Sequence, residues 1–315
     1  VTAASETETK VMGAEKGLKE VLDRLCNLSV ERAYDPFRDF EWPPSVPEQG
    51  MWMSEDLLSV HGTPHMADLT EEQRWRLSRW ELINFFSYNV HGIKELMQTV
   101  LSCIYKSGHE TTSEYFHHFL DEENKHMWFF AEFCTRYGGK IYVSQNLPFP
   151  TFAEDDIQSF IAFAKILIAE QIGDFYNARM MGDESLHPIV RKLNRVHHED
   201  ESRHIAMGLN VVRLMYETIA DKYPLETRQK IADYLLRYMQ FYVESFYNPS
   251  AYRDAGLQEP YEWRRKLIGA PERQKFHEKV LRRTTSFFRK NGIIGQNDDV
   301  AGTTNAARPR TAHNG

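Results

Sequence analysis

The chain has little cysteine, no long apolar run and no surplus of positive charge. Each shortage narrows what it can be. Its three cysteines, Cys26, Cys103 and Cys134, are widely spaced in 315 residues and odd in number. Neither a disulfide framework nor a thiolate zinc site follows. No stretch reaches the about eighteen consecutive apolar residues that a membrane helix needs. The first residues, VTAASETETK, lack the basic-then-apolar layout of a secretory signal. The expectation is a cytoplasmic protein with reduced thiols and no membrane association. A formal net charge of −7 argues against a nucleic-acid groove, which shows as a basic patch. No strand-like alternation of any length occurs, and no flavin, nicotinamide or iron–sulfur motif.

What the chain does have is a hydrophobic fraction of 42%, enough for a real core, and thirteen histidines, most of them in the middle of the sequence. Residues 197–204 read HHEDESRH, three histidines and three carboxylates in two helical turns.

The periodicity predicts an all-α chain. Residues 1–66 read as a polar tail followed by a proline-rich arm on the surface, with five prolines between 35 and 66. Residues 67–295 form the helical domain, and 296–315, polar and patternless, a disordered tail. Thr70 with Gln73 forms a capping box for a helix running to about Tyr105. A second helix runs from about Thr112 to Tyr137 and ends at Gly138 and Gly139. A third spans about 155–181, and a fourth, capped by Ser185, runs to about 221. Further helices occupy about 225–247 and 271–291. Two helical hairpins of this kind pack as a four-helix bundle, covered by the arm and the last helices.

Glu123-Asn-Lys-His126 falls on the second helix and Glu201-Ser-Arg-His204 on the fourth. Residues at i and i+3 share a helix face, so each pair can reach one ion. Two such helices plus one glutamate from each of the others make the ligand set of a ferritin-like di-iron carboxylate site. Equal distance from each turn then selects the remaining glutamates. Glu170, a lone carboxylate in the apolar run ILIAEQIGDF, is level with Glu201. A buried carboxylate of this kind needs a partner or a metal. Glu95 is level with Glu123, whereas Glu81 lies roughly 20 Å too far along its helix at 1.5 Å per residue and reads as structural. His197, Glu201 and His204 share one stripe, which makes His197 a third ligand from the fourth helix. Carboxylate and imidazole donors without thiolate suit iron or manganese. Asp200 and Glu122 each precede a ligand glutamate, and they are placed to hold the imidazoles of His126 and His204 from the opposite helix.

These motifs resemble the di-iron carboxylate oxygenases. The histidine four residues before the last Glu-x-x-His resembles, more particularly, the p-aminobenzoate N-oxygenase family, which oxidises arylamines to nitroarenes in antibiotic biosynthesis and holds its irons with seven side chains. Carried across, the ligands are Glu95, Glu123, His126, Glu170, His197, Glu201 and His204. Two features depart from the pattern: the 28-residue spacing from Glu95 to Glu123 is short, and Glu122 stands where many di-iron proteins carry Asp. The resemblance implies two iron ions, O2 as co-substrate, a peroxo di-iron(III) intermediate and stepwise oxidation of an amine to hydroxylamine, nitroso and nitro products. The amine would be free or tethered to a carrier protein, and the electrons would come from an external donor.

The same metal site could instead serve a C–H hydroxylase or desaturase, and His197 favours the first reading over these. An iron store would be shorter, and a radical subunit would need a tyrosine such as Tyr88 or Tyr176 beside the metals. Phe287 and Phe288 on the last helix offer a surface for a homodimer.

Overall fold

The computed structural model describes residues 6–144, 148–298 and 300, and of residues 6–15 the backbone only. Ten α-helices are present among the described residues, and no strand. Four of them build the bundle: α3 (Glu71–Leu101), α4 (Ser113–Phe133), α5 (Asp155–Met180) and α6 (Pro188–Lys222). α3 pairs with α4 and α5 with α6, while α3 also touches α5 and α4 touches α6. This closes a ferritin-like four-helix bundle.

Local chemistry sets the ends. Thr70 and Gln73 exchange hydrogen bonds at the start of α3. α4 continues into one π-helical turn, Cys134–Gly138, and stops at Gly139, whose φ of 68° favours a residue without a Cβ. α6 begins later than the sequence suggests. His187 rather than Ser185 caps it, accepting from the Ile189 amide, with Pro188 in the first turn. At Gly208 a Cβ would lie 3.2 Å from Leu167 Cδ1, so the missing side chain lets α5 and α6 approach closely.

The arm differs from the sequence reading. Residues 6–31 form a helix, α1 (Glu6–Glu31), which packs on α4 and α6. Beyond the short α2 (Pro36–Asp39), the proline-rich segment buries Trp52, Met53, Leu57, Leu58 and Val60, so it is part of the core as well as its cover. On the other side lie α7 (Leu225–Ser245), α8 (Pro249–Asp254), α9 (Pro260–Ile268) and α10 (Pro271–Lys290). α10 is tied to α5 by Thr284 Oγ1 donating to Gln171 Oε1 at 2.6 Å and by Arg283 on Asp174 at 2.8 Å. Phe288 is fully buried and Phe287 half-buried against the chain's own core. Of the tail predicted over 296–315, Gln296 and Asp298 are hydrogen-bonded to Arg289 of α10, and residues from 301 onward lie outside the described residues. No described helix is long and apolar enough to cross a membrane.

Candidate metal centre

α4 and α6 carry their Glu-x-x-His pairs into the middle of the bundle. Glu123, His126, Glu201 and His204 offer ligand atoms that all lie within 4.8 Å of one another. None of the four is more than 1% exposed. His204 Nδ1 is 2.9 Å from Glu123 Oε1 and 3.3 Å from Glu201 Oε2. His126 Nδ1 is 3.5 Å from both Glu123 Oε2 and Glu201 Oε1. α5 adds Glu170, buried and close enough to Glu201 for the two carboxyls to share a hydrogen. One turn before Glu201, His197 places Nε2 at 2.8 Å from Glu201 Oε1.

Burial in this setting strains every charge. The Glu170 carboxyl is pushed well above the usual carboxylate range by burial first, then by the negative charges of Glu201 and Glu123. For Glu201 burial works in the same sense, but the imidazoles of His204 and His197 overcome it and hold the group well below its ordinary value. His126 is also opposed by burial, yet its hydrogen bonds to Asp200 and Glu123 raise it to about 9. The Glu170 charge is thus opposed by its surroundings, whereas the charges of Glu201 and His126 are held by their neighbours.

The second layer is built on the same two helices. His126 Nε2–H donates to Asp200 Oδ2 at 2.8 Å, and His204 Nε2–H donates to Glu122 Oε2 at 2.9 Å. Each carboxylate thus fixes a tautomer that leaves Nδ1 facing the cluster. Arg203, unremarked in the sequence reading, bridges the two carboxylates, with Nη2 at 2.5 Å from Glu122 Oε1 and from Asp200 Oδ1. Its Nε donates to Ser29 of α1, and the Tyr34 hydroxyl donates to Asp200 Oδ2 at 3.2 Å. Asn177 was also missed; its side-chain nitrogen is 2.6 Å from His197 Nδ1. Arg203 had a signal, since it stands three residues after Asp200 on the ligand helix. Tyr34 and Ser29 had none, because nothing local ties the arm to the site.

Around the cluster, Phe119 packs 4.3 Å from the His204 ring and Phe130 meets His197 edge-on at 4.9 Å, ring centre to ring centre. Phe119, Phe129 and Phe130 are fully buried. They exclude water and lower the local dielectric.

Glu95 is the exception among the residues selected from the sequence. It is exposed on α3 and lines a surface cavity of about 190 Å³ with Tyr88, His91 and Lys165. It is not brought to the cluster. Its level along the helix was inferred from the turn, but its direction puts it off the buried stripe of Asn89, Ile93 and Leu96. Glu81 is structural: it accepts from the Ser59 amide at 2.9 Å and from the Ser59 hydroxyl.

The donor atoms fit a metal centre. Both oxygens of Glu123 and of Glu201, Glu170 Oε1, His126 Nδ1 and His204 Nδ1 are buried and face one another without well-formed hydrogen bonds. Orphans of this kind are rare in folded proteins. Here they belong to neighbouring residues of a single site, as ligand atoms do.

A buried cluster of carboxylates and imidazoles on two Glu-x-x-His helices defines the class, a di-iron-type oxidoreductase on a ferritin-like bundle. The family model described as P-aminobenzoate N-oxygenase AurF matches residues 15–292, and the chain belongs to that family. No curated protein sequence matches the chain. Among solved structures it is similar to a mutant of an R2-like ligand-binding oxidase with aerobically reconstituted Mn/Fe cofactor, at 13% identity and a TM-score of 0.38, covering 91% of this chain and 88% of that one.

Proposed function

We propose that the chain is an O2-dependent N-oxygenase that converts an amine, an arylamine by analogy with the family's p-aminobenzoate, to its hydroxylamine and onward to the nitroso and nitro levels. Glu123, His126, Glu170, His197, Glu201 and His204 would hold two iron ions. Bound iron supplies the activation of O2. Each first-stage turnover inserts one oxygen atom into an N–H bond, while the other leaves as water after taking up two electrons and two protons. An external donor provides those electrons. The amine, free or carrier-tethered, is a small-molecule substrate of natural-product biosynthesis.

The protein's own part is positional. Asp200 and Glu122 hold the Nε2–H groups of His126 and His204, so the Nδ1 lone pairs stay aimed inward. Arg203 balances the two buried carboxylates that do this. The aromatic walls keep water from the reacting atoms.

The observation that carries the reading is His197, buried and 2.8 Å from Glu201. A plain paired Glu-x-x-His site has no need of this third imidazole. The test is to load the chain with iron(II) anaerobically, then add O2, a chemical reductant and p-aminobenzoate. N-oxygenated products by mass spectrometry support the proposal. Ring-hydroxylated products, or none with a panel of arylamines, would refute it.

A further inference from the structure

A cavity of about 940 Å³ opens between α7, α9 and α10, and no residue of α4, α5 or α6 lines it. Small-molecule sites typically measure about 300–1,000 Å³. Neither the Glu-x-x-His cluster nor the reaction assigned to it uses this space.

The sequence here is unlike the rest of the chain. Residues 260–290 hold ten lysines and arginines against three glutamates, in a chain whose net charge is −7. Four of those arginines, Arg264, Arg265, Arg282 and Arg289, line the cavity, opposed only by Glu244 and Glu278. Arg265 is taken up by Glu262 at 2.7 Å, and Arg264 stands 3.8 Å from Glu244. Arg282 and Arg289 have no carboxylate within ion-pair distance among the described residues. Arg264 Nη1 donates to the carbonyls of Glu244 and Tyr247 at 2.8 and 3.0 Å. Arg289 Nη2 donates to the Asp298 carbonyl at 2.7 Å, and its Nε is buried without a partner. Neutral carbonyls fix the direction of these guanidiniums and leave their charge.

His277, buried in the lining, adds a donor of another kind. Its Nε2 is 2.7 Å from the Tyr247 hydroxyl, which accepts from Arg273 Nε at 2.9 Å. Arginine can only donate, so the tyrosine oxygen accepts there and its own proton goes to His277 Nε2. Burial first, then the Arg273 charge, lowers the imidazole to about 3 and keeps it neutral. A neutral ring that accepts at Nε2 carries its proton on Nδ1. That Nδ1–H has no partner among the described residues and is left for the cavity.

The lining thus offers positive charge and N–H donors, the complement of a group with several acceptor oxygens. A phosphate monoester fits better than a carboxylate, since it carries about −1.5 to −2 charges at pH 7 and three acceptor oxygens. Phosphate alone would leave most of the space to water. Tyr261 is 69% exposed, lines the same cavity and has no ring partner among the described residues. Ile268 and Leu281 add apolar wall. These surfaces suit a planar ring. The chain's own segment after Val300 is a poor occupant, because its charged side chains, Arg308 and Arg310, have the same sign as the lining.

We propose that the cavity between α7, α9 and α10 binds a nucleotide-sized ligand, a phosphate monoester joined to a planar ring, with the phosphate on Arg282, Arg289 and His277 and the ring on Tyr261. The site is independent of the metal centre and of the reaction assigned to it.

The test is calorimetric titration of the full chain, without added metal, by AMP, flavin mononucleotide, adenosine and inorganic phosphate. AMP or flavin mononucleotide should bind more tightly than about 1 mM, and the tighter of the two identifies the ring. Adenosine and inorganic phosphate each lack one half of the ligand and should bind at least about tenfold more weakly. Arg282→Gln and Tyr261→Ala, both at exposed positions, should each weaken nucleotide binding about tenfold and leave thermal unfolding of the unliganded chain unchanged. Lys275→Gln removes the same charge from an exposed position of α10 outside the cavity and should leave binding as it was. Failure of both nucleotides to bind would overturn the proposal. So would inorganic phosphate binding as tightly as they do, which would mean an adventitious ion only, or an equal loss in Lys275→Gln.

Discussion

Asp200 Oδ2 stands 2.8 Å from His126 Nε2, so the imidazole that faces the cluster from α4 is aimed by a carboxylate from α6. Glu122 does the converse for His204 at 2.9 Å. The two helices therefore orient each other's cluster imidazoles. Neither half of the site keeps its geometry without the other.

Asp200→Asn keeps the shape but removes the charge that stabilises the His126 imidazole as donor. Partners of metal-bound histidines are typically worth 10–100-fold in affinity. Metal affinity should fall by about that factor, measured by competition with a chromophoric chelator. An unchanged affinity would mean that His126 is not a ligand.

Arg203 is buried between Glu122 and Asp200. Arg203→Met preserves much of the volume and strands two carboxylates. Breaking a buried ion pair on one side costs about 3–5 kcal/mol. Urea unfolding of the metal-free variant should show a loss of that order. Lysine should rescue only part of it, because it lacks the planar fork that spans both acids.

Glu81 gives the metal-free fold a pH dependence. Burial raises its carboxyl from the ordinary 4.5 to about 7, against the lowering effect of the two Ser59 hydrogen bonds and Arg273. Between these values the folded chain holds a proton that the unfolded chain has lost. Stability from this group is fully present below pH 4.5 and falls as pH rises to about 7. The total is about 3 kcal/mol at 1.36 kcal/mol per unit. His277 works oppositely: its pKa is lowered by burial from 6.5 to about 3, so stability is lost as pH drops through that range. The informative quantity is thus the native chain minus Glu81→Gln. Chemical denaturation at pH 5 and pH 7.5 should favour the native chain less at the higher pH. A difference independent of pH would contradict the assignment.

Gly208 lets α6 approach α5 at Leu167. Gly208→Leu overpacks that contact, and overpacking typically costs about 1–3 kcal/mol. Thermal unfolding should show the loss, and metal content should fall with it, because α5 and α6 carry Glu170 and Glu201. Full stability with two bound ions would mean that the two helices have room to spare.

Much of this was legible in the residues. The two Glu-x-x-His pairs fix their own geometry within one turn, and Glu170 betrays itself as a charge in an apolar run. Glu95 was misread for a physical reason. Distance from a turn gives the height of a residue on a helix but not its direction, and residues 102–112 form irregular turns whose length the sequence does not measure. Helix α1 had a signal, in the spacing of Leu18, Val21, Leu22, Leu25 and Cys26, that the prolines farther along overshadowed. Tyr34 reaches Asp200 across 166 positions of chain, a contact that only the fold creates.

The most direct test of the whole account is isotopic. The iron(II)-loaded chain, with reductant and p-aminobenzoate, is exposed to 18O2 in unlabelled water, and the first N-oxygenated product is trapped and weighed. The account predicts hydroxylamine whose oxygen carries the heavy label, formed by the native chain and absent for Glu201→Ala. An unlabelled product, or equal product from the variant without its metal, would contradict it.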